Sequence, residues 1–282
     1  MNATPPHAVL YLDEDMPRSG SQRVAGGVAE VYSSRRPGPE SRNQDGAAII
    51  SCSPTTGVLA VADGVGGSRA GHAAASRALE ALCEALVRRA EPTRPLRSAI
   101  LDGFEAASEA VRTLGVGAAT TLSVVEIDGA SIRPYHAGDS PILVVGQRGK
   151  VKLQIVPHSP VGFAVEAGLL HQEDAIHHED LHLVSNVVGE ADMRIEIGPW
   201  INLAPRDRLL ISSDGLTDNL HLFEIIEQLR CGPLPATAQS LAKSAEARMS
   251  APESGEPSKP DDLTFLIYRL EPRPLTDTPP TQ

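Results

Sequence analysis

The fold is decided by the stretch Val58-Leu59-Ala60-Val61-Ala62-Asp63-Gly64-Val65-Gly66-Gly67. Its first five residues are aliphatic without a polar break, which is the pattern of a strand buried on both faces. The glycines after the aspartate predict a tight turn. A buried carboxylate is costly unless a partner or a cation neutralises it. We therefore expect Asp63 to belong to a functional site at the edge of a buried sheet.

Three more aspartates border short apolar runs of the same kind. Asp45 precedes one run, Asp214 follows another, and Asp261 opens the last. If these carboxylates converge with Asp63, their mutual repulsion raises their pKa values unless cations neutralise them. A cluster of oxygen ligands suits Mg²⁺ or Mn²⁺ rather than zinc or copper. The four aspartates therefore predict a divalent-cation site.

The composition narrows the class of protein. Lysine and arginine number 25 against 36 aspartates and glutamates, and the net charge of −11 disfavours nucleic acid or an anionic membrane as the partner. No apolar stretch reaches the length of a membrane span, and the N-terminus lacks the pattern of a leader. The three cysteines are widely spaced and lie outside any CxxC motif. We therefore expect a cytoplasmic protein with reduced cysteines.

Strand and helix patterns come in blocks along the chain. Short strands are followed by two helices with one apolar face each, then by more strands, two more helices and a closing strand. Asp128-Gly129 and Arg148-Gly149 predict hairpin turns within the second block of strands. Blocks of strands favour antiparallel sheets, because a parallel sheet requires alternation of strands and helices. The sequence predicts the α+β class, with two stacked antiparallel sheets covered by helices.

The predicted domain occupies residues 24–271. Residues 1–23 lack periodicity and predict a flexible N-terminal arm, and the Pro- and Thr-rich residues 272–282 predict a frayed tail. Residues 158–194 are weakly apolar and predict an excursion from the sheets. The content of proline, serine and glutamate in residues 250–260 predicts a flexible loop.

Two other candidate sites are weaker. The histidines between His158 and His182 match no zinc motif, since HExxH is absent and no cysteine accompanies them. We expect most of them to be solvated. Ser140 is a conceivable nucleophile, but no GxSxG motif surrounds it. Its neighbour Asp139 is either a turn residue or one more carboxylate at a strand junction.

Six motifs, taken in order, resemble the metal-dependent Ser/Thr protein phosphatase family (PPM, type 2C) in its bacterial form. Each motif is weak alone, whereas six in the family's order over residues 24–271 are specific. The resemblance implies a four-layer αββα sandwich with two Mg²⁺ or Mn²⁺ ions in a cleft at one end of the sheets. The motifs are Asn43-Gln44-Asp45, Ala62-Asp63-Gly64-Val65-Gly66-Gly67, Thr120-Thr121, Gly138-Asp139-Ser140, Ser213-Asp214-Gly215-Leu216 and Asp261-Asp262-Leu263-Thr264.

The resemblance implies a role for the motif residues. Asp63 would bridge the two metal ions, and the carbonyl of Gly64 would bind one of them. Asp214 and Asp261 would bind the other. Residues 158–194 would correspond to a mobile flap that affects substrate access.

The resemblance also implies two outer metal residues and a phosphate binder. Asp45 would hold metal-bound water, and Asp139 resembles the residue that helps some bacterial relatives hold a third, weaker metal. The family usually carries a phosphate-binding arginine five residues before the position of Asp45, where this chain has Glu40. Its replacement would be Arg42 or Arg36.

Taken together, the resemblance implies hydrolysis of phosphoserine and phosphothreonine by a water nucleophile activated between two ions. Asp63, Asp214 and Asp261 would be the catalytic residues. The substrate would be a phosphorylated protein, a cognate Ser/Thr kinase would be the counterpart, and the phosphatase would be a monomer. Glu40 and Gln44, which replaces the usual glutamate, keep open a pseudophosphatase that binds without turnover. Hydrolysis of a small phosphorylated metabolite also stays open.

Overall fold

Two antiparallel sheets packed face to face form the centre of the molecule. The computed structural model describes residues 6–38, 42–65, 69–88, 95–115, 117–252 and 255–271. Within these ranges the strands are β1 (His7–Leu12), β2 (Gly20–Val24), β3 (Gly27–Ser34), β4 (Asp45–Ser51), β5 (Thr56–Val65), β6 (Ala119–Thr120), β7 (Leu122–Asp128), β8 (Ser131–Ala137), β9 (Ile142–Val145), β10 (Val151–Gln154), β11 (Glu196–Ile197), β12 (Ile201–Asn202), β13 (Arg208–Ser212) and β14 (Leu263–Leu270). The helices in the same ranges are α1 (Arg69–Val87), α2 (Leu96–Arg112), α3 (Pro160–Glu166), α4 (Gln172–Ala175), α5 (Asp214–Thr217), α6 (Leu222–Leu229) and α7 (Leu234–Met249).

The strand order confirms the predicted sheets. The first sheet has the order β1-β4-β5-β7-β8-β11, with β6 pairing with β5 and β12 with β8. The second has the order β10-β9-β13-β14-β3-β2. Each pairing within both sheets is antiparallel. The chain crosses between the sheets at several points, including the short connection from β8 to β9.

The helices and the two sheets form four layers, and an apolar core lies between each pair of neighbouring layers. One lies between the first sheet and the pair α1 and α2, and includes Leu82 and Phe104. A second lies between the two sheets and includes Val61 and Ile211. The third lies between the second sheet and the helices α5, α6 and α7. This αββα arrangement is the predicted fold class, and its core is mainly aliphatic because aromatic residues are only 3% of the chain.

Tight turns with residues at positive φ connect several neighbouring strands. Ala25 and Gly26 join β2 to β3 with φ of 48° and 74°, as two-residue hairpins of right-twisted strands require. The predicted turns at Gly129 and Gly149 are present, with φ of 58° and 75°. The hairpin periodicity of the sequence therefore located these strand pairs correctly.

The N-terminal segment differs from the expected flexible arm. Residues His7–Leu12 pair along β4 at the edge of the first sheet, from His7 beside Ser51 to Leu12 beside Gly46. Residues Gly20–Val24 pair with β3 at the edge of the second sheet. Edge strands bury one face only, so their apolar pattern is weak. Because polar residues surround these two short strands, the sequence pattern did not predict them.

The excursion at residues 158–194 contains the short helices α3 and α4, and its Val188 pairs with Thr120 of β6 through an isolated bridge. The loop from α7 to β14 contains neither strand nor long helix in its described part. The mobility predicted for both segments stays a prediction. None of the helices within the described ranges has the length and apolarity needed to cross a bilayer.

Candidate active site

Two of the predicted site residues lie side by side on neighbouring strands of the first sheet. Asp45 begins β4, Asp63 lies near the end of β5, and the two are direct partners in the register. Directly opposed residues of antiparallel strands project from the same face. Two positions along, Ala47 and Val61 belong to the apolar layer between the sheets. The carboxylates of Asp45 and Asp63 therefore lie at the end of that inner layer.

The second sheet brings two more aspartates to the same end. Asp214 follows β13 and starts α5, and Asp261 lies just before β14. The N–H of Ser213 donates to the carbonyl of Thr264 at 2.8 Å, which joins the two strand ends. A Cβ on Gly215 would overlap the carbonyl oxygen of Asp262. Only glycine permits this close approach of the two acidic segments.

Asp139 lies on the crossover from β8 to β9, where the chain passes from the first sheet to the second. Gly138 before it has a φ of 116°, and a Cβ there would collide with Thr121. Burial, followed by the charge of Asp214, raises the pKa of Asp139 to about 7. The structure therefore places Asp139 in the electrostatic field of the other aspartates.

Threonine hydroxyls fix the backbone of Asp63. Its N–H donates to Oγ1 of Thr121 at 3.0 Å, and its carbonyl accepts from Oγ1 of Thr120 and from the N–H of Thr121, both at 2.8 Å. The hydroxyl of Ser140 is buried and lies 2.6 Å from that of Thr121. Ser140 therefore supports the position of Asp63 rather than standing exposed as a nucleophile.

The repulsion predicted for the carboxylates is present. Burial raises the pKa of Asp63 well above its usual value, and the charges of Asp45, Asp214, Asp261 and Asp139 add to the effect. The pKa of Asp45 is raised in the same way by burial and by Asp262, Asp214 and Asp261, against a hydrogen bond from Ser213. The contacts agree with this, because Asp45 lies opposite Asp63, the N–H of the adjacent Gln44 donates to Asp262, and one lysine ammonium lies within 3.2 Å of both Asp214 and Asp261. The structure thus brings the predicted aspartates together.

One carboxylate oxygen of the cluster bears on whether a cation could bind there. Oδ2 of Asp45 is buried and has no hydrogen-bond partner among the described residues. A buried carboxylate oxygen without a partner carries the full cost of desolvation. Hard divalent cations such as Mg²⁺ and Mn²⁺ prefer oxygen ligands of this kind. The oxygen ligands present are therefore of the chemical kind that the predicted metal ions prefer.

Two charged residues of the site were missed at the sequence level. Nζ of Lys259 lies 2.8 Å from Oδ2 of Asp214, 2.7 Å from Oδ2 of Asp218 and 3.2 Å from Oδ2 of Asp261. Asp218 follows Asp214 by four residues, and that helical spacing was the signal that could have found it. Lys259 lies in a loop whose composition carried no such signal.

Asp262 holds the connection from β3 to β4 against the site. Its Oδ1 accepts from the backbone N–H of Arg36 at 2.7 Å, and its Oδ2 accepts from the N–H of Gln44 at 2.8 Å. These two bonds hold both ends of the connection beside β14. Arg36 itself is exposed. Glu40, in the middle of this connection, lies outside the described residues.

Arg42 is held at the first turn of α1. Its Nη1 donates to Nε2 of His72 at 3.1 Å, and Nδ1 of His72 donates to the carbonyl of Asn43 at 2.9 Å. The side chain of Arg42 is 69% exposed, so a solute can reach its remaining donors. Close contact of Gly64 with Gly71 brings this turn of α1 beside the end of β5.

His158 differs from the expectation of a solvated histidine. It is buried and stacks on His136, with 4.3 Å between ring centroids, and the ligand atoms of these two and Glu196 lie within 4.8 Å of one another. Nδ1 of His158 accepts from the N–H of Gly138 at 3.1 Å and from Nδ2 of Asn186 at 2.8 Å. Its Nε2 therefore carries the proton and donates to Glu196 at 3.1 Å.

With both nitrogens of His158 engaged, this cluster is a hydrogen-bonded link rather than a second metal centre. Burial, followed by the positive charge that His158 would carry, lowers the pKa of His136 to about 4, so His136 is neutral near pH 7. The link ties the 158–194 excursion to Gly138, next to Asp139.

The chain matches the family model described as "Protein phosphatase 2C" over residues 38–249. The chain belongs to the protein phosphatase 2C family. The phosphatase is 32% identical to protein phosphatase PhpP of Streptococcus pneumoniae over 178 residues, which cover 60% of this chain and 70% of PhpP. It is 29% identical to a putative protein phosphatase 2C-type from Streptococcus pyogenes over 176 residues, 60% of this chain and 71% of that protein.

Solved structures show the same fold. The serine/threonine phosphatase of S. agalactiae superimposes with a TM-score of 0.73 at 27% identity, over 86% of this chain and 100% of the other. The Mycobacterium tuberculosis phosphatase PstP/Ppp superimposes with a TM-score of 0.71 at 24% identity, over 86% and 98%. These similarities confirm both the predicted family and the αββα fold. The phosphatase is thus an enzyme of the protein phosphatase class.

Proposed function

We propose that the phosphatase hydrolyses phosphoserine and phosphothreonine in proteins with two Mg²⁺ or Mn²⁺ ions held by its aspartate cluster. The observation that carries this proposal is the convergence of Asp45, Asp63, Asp214 and Asp261 from both sheets, with a buried oxygen of Asp45 left unpartnered. The catalytic domain of a serine/threonine protein phosphatase PstP, which has a similar fold, is known in complex with two manganese ions. The M. smegmatis phosphatase MsPP is known in complex with cacodylate.

The roles proposed for the ligands are those that the family resemblance implies. Asp63, between the two sheets, would bind both ions, the Gly64 carbonyl would bind one, and Asp214 and Asp261 would bind the other. Asp45 would accept from water beside Asp63. When bound, the ions would lower the pKa of a coordinated water and neutralise charge on the phosphoryl oxygens.

The protein's own groups would orient the reaction. The hydrogen bonds of Asp63 with Thr120 and Thr121 fix its backbone, so its carboxylate would help to align a nucleophilic water with the phosphorus. The buried hydroxyl of Ser140 supports attack by water rather than by a side chain, because it is engaged with Thr121. No covalent protein intermediate is needed in this scheme.

Arg42 is proposed as the phosphate binder and Arg36 as the second candidate. An exposed guanidinium that is anchored at one end can present two donors to a phosphate. Arg42 has this anchor in His72. For Arg36, the structure anchors the backbone rather than the guanidinium. We therefore expect Arg42 to contribute more to phosphate binding.

The wider proposals concern partners and location. The substrate class is a phosphorylated protein, and a Ser/Thr kinase is the expected counterpart. We propose a monomeric cytoplasmic enzyme, and its net charge of −11 means that an anionic substrate would be attracted by local cations rather than by long-range attraction.

A phosphopeptide assay tests the function. Activity is expected with Mn²⁺, none with EDTA, and recovery when Mn²⁺ is restored. Arg42→Ala is expected to raise KM about 10- to 100-fold with a smaller change in kcat, because a charge-assisted hydrogen bond contributes about 1.5–3 kcal/mol. Arg36→Ala should have a smaller effect.

Arg35→Ala is the matched control, because Arg35 is paired with Asp15 at 2.9 Å. Activity that EDTA leaves intact would contradict the proposed function. Tight Mn²⁺ binding without turnover of any phosphosubstrate would favour the pseudophosphatase, and an equal KM for Arg42→Ala and the wild type would remove Arg42 from the binding site.

A further inference from the structure

We propose that the ammonium group of Lys259 is a built-in cation of this centre, which takes the place of a third divalent ion beside Asp214, Asp218 and Asp261. This inference rests on the proposed function, since it concerns how many ions the same cluster binds. It assigns a role to a lysine that none of the six family motifs contains.

The contacts of Lys259 are those of a bound cation. Its Nζ approaches one oxygen of each of three carboxylates, at 2.7 to 3.2 Å. The Asp218 side chain is only 7% exposed, and Lys259 is its ion-pair partner among the described residues. A buried carboxylate requires such a partner. Lys259 therefore neutralises the carboxylate of Asp218, as a bound metal ion would do in its absence.

A buried asparagine fixes the backbone of Lys259. Oδ1 of Asn219 accepts from the N–H of Lys259 at 2.8 Å, and Nδ2 of Asn219 donates to the Lys259 carbonyl at 2.9 Å. The same Nδ2 donates to the carbonyl of Gly215 at 2.9 Å, next to Asp214. Asn219 is fully buried. This two-point clamp positions the lysine relative to Asp214, as a preformed site does and a chance surface pair does not.

The charge of Lys259 acts on the rest of the cluster. Its positive charge opposes the burial and the repulsion from Asp214 that raise the pKa of Asp139. Asp139 is the residue that resembles a third-metal ligand of bacterial relatives. A divalent ion between Asp139 and Asp218 would have to displace the ammonium or lie within a few ångströms of it, and unscreened like charges repel strongly at that distance.

Lys259 still leaves room for the two proposed ions. It contacts only Oδ2 of Asp214, so Oδ1 of that carboxylate is not used by the lysine. It makes no ion pair with Asp45 or Asp63. Asp45, Asp63 and Oδ1 of Asp214 therefore stay available to the two proposed ions, and Lys259 shares Asp214 and Asp261 with them through Oδ2 of each.

The test is the number of Mn²⁺ ions bound, measured by isothermal titration and by the electron paramagnetic resonance signal of free Mn²⁺. Wild type is expected to bind two ions. Lys259→Met, which keeps the length but removes the charge, should bind three, the third more weakly. Lys259→Arg keeps the charge and should bind two. Lys243→Met, on the exposed face of α7, is the matched control and should match wild type.

Thermal melts give a second readout that does not depend on catalysis. Lys259→Met should melt below wild type in EDTA, because three carboxylates lose their cation. Saturating Mn²⁺ should raise its Tm by about 2–4 °C more than that of wild type. Lys259→Gln is a second neutral variant and should behave alike. If neither neutral variant folds even in Mn²⁺, the inference fails, because the ion should replace the missing charge.

The outcomes separate this inference from the proposed function. Two ions and full turnover in wild type, with two ions also in Lys259→Met, would overturn the role of Lys259 alone. Three ions in wild type would do the same. A wild type that binds no Mn²⁺ and hydrolyses no phosphopeptide would overturn both proposals.

Discussion

Asp63→Asn is expected to lower kcat by about 10³-fold or more while making the metal-free protein more stable. Asp63 is the proposed ligand of both ions, so an amide in its place would remove the charge that holds them together. The same substitution removes a buried charge that lies close to Asp45, Asp214 and Asp261. A residue that reduces stability but is needed for turnover is characteristic of a functional site.

Steady-state kinetics in Mn²⁺ and thermal melts in EDTA check the two halves of this prediction. Asp128→Asn is the matched control, because Asp128 is exposed and pairs with Thr56 at the opposite end of β5. It should leave kcat and Tm close to the wild-type values. Wild-type turnover in Asp63→Asn would refute the proposed centre. A Tm below that of wild type for this variant in EDTA would contradict the repulsion among the buried aspartates.

The metal-free protein is expected to lose stability as the pH rises from 6.5 to 8. Burial and Asp214 raise the pKa of Asp139 to about 7, and the pKa values of Asp45, Asp63 and Asp218 are also raised, mainly by burial. A carboxyl whose pKa is higher in the folded state binds its proton more tightly there. Its contribution is complete below the unfolded value near 3.8 and is lost as the pH passes the folded value.

Asp139 alone should contribute a decrease of about 1 kcal/mol over this range, and the other three add to it in the same direction. The range begins at pH 6.5 because His136, whose pKa is lowered to about 4 by burial and by His158, destabilises the fold only under more acidic conditions. Lys259 stays charged throughout, because Asp214 and Asp218 outweigh its burial and raise its pKa.

Urea unfolding in EDTA at several pH values measures this slope, and Asp139→Asn should reduce it. With saturating Mn²⁺ the slope should vanish or change sign, because ions bind the deprotonated carboxylates. Metal-free stability that stays constant or increases between pH 6.5 and 8 would show that these carboxylates do not share one buried cluster.

The sequence predicted those parts of the molecule that leave a local signature. The apolar run ending at Asp63 predicted a buried strand and its edge, and the structure places Asp45 directly opposite on β4. Hairpin turns at Gly129 and Gly149 predicted the strand pairs, and the family and the αββα fold are confirmed. The metal roles of Asp63, Asp214 and Asp261 stay predictions, although their convergence is observed.

The rest depended on contacts between distant segments. Lys259 reaches Asp214 and Asp218 from a polar loop, and no periodicity could reveal that approach. His158 is buried because β8 and the excursion that follows β10 bring His136 and Asn186 to it. Composition alone suggested solvated histidines. The strands at the N-terminus were missed because half-buried edge strands carry a weak apolar pattern.

Anomalous scattering at the manganese edge from crystals grown with Mn²⁺ tests the central claim most directly. Two peaks are expected among Asp45, Asp63, Asp214 and Asp261, with Lys259 still bound to Asp218. Peaks at His136, His158 and Glu196 instead, or no peak near Asp63, would contradict the account.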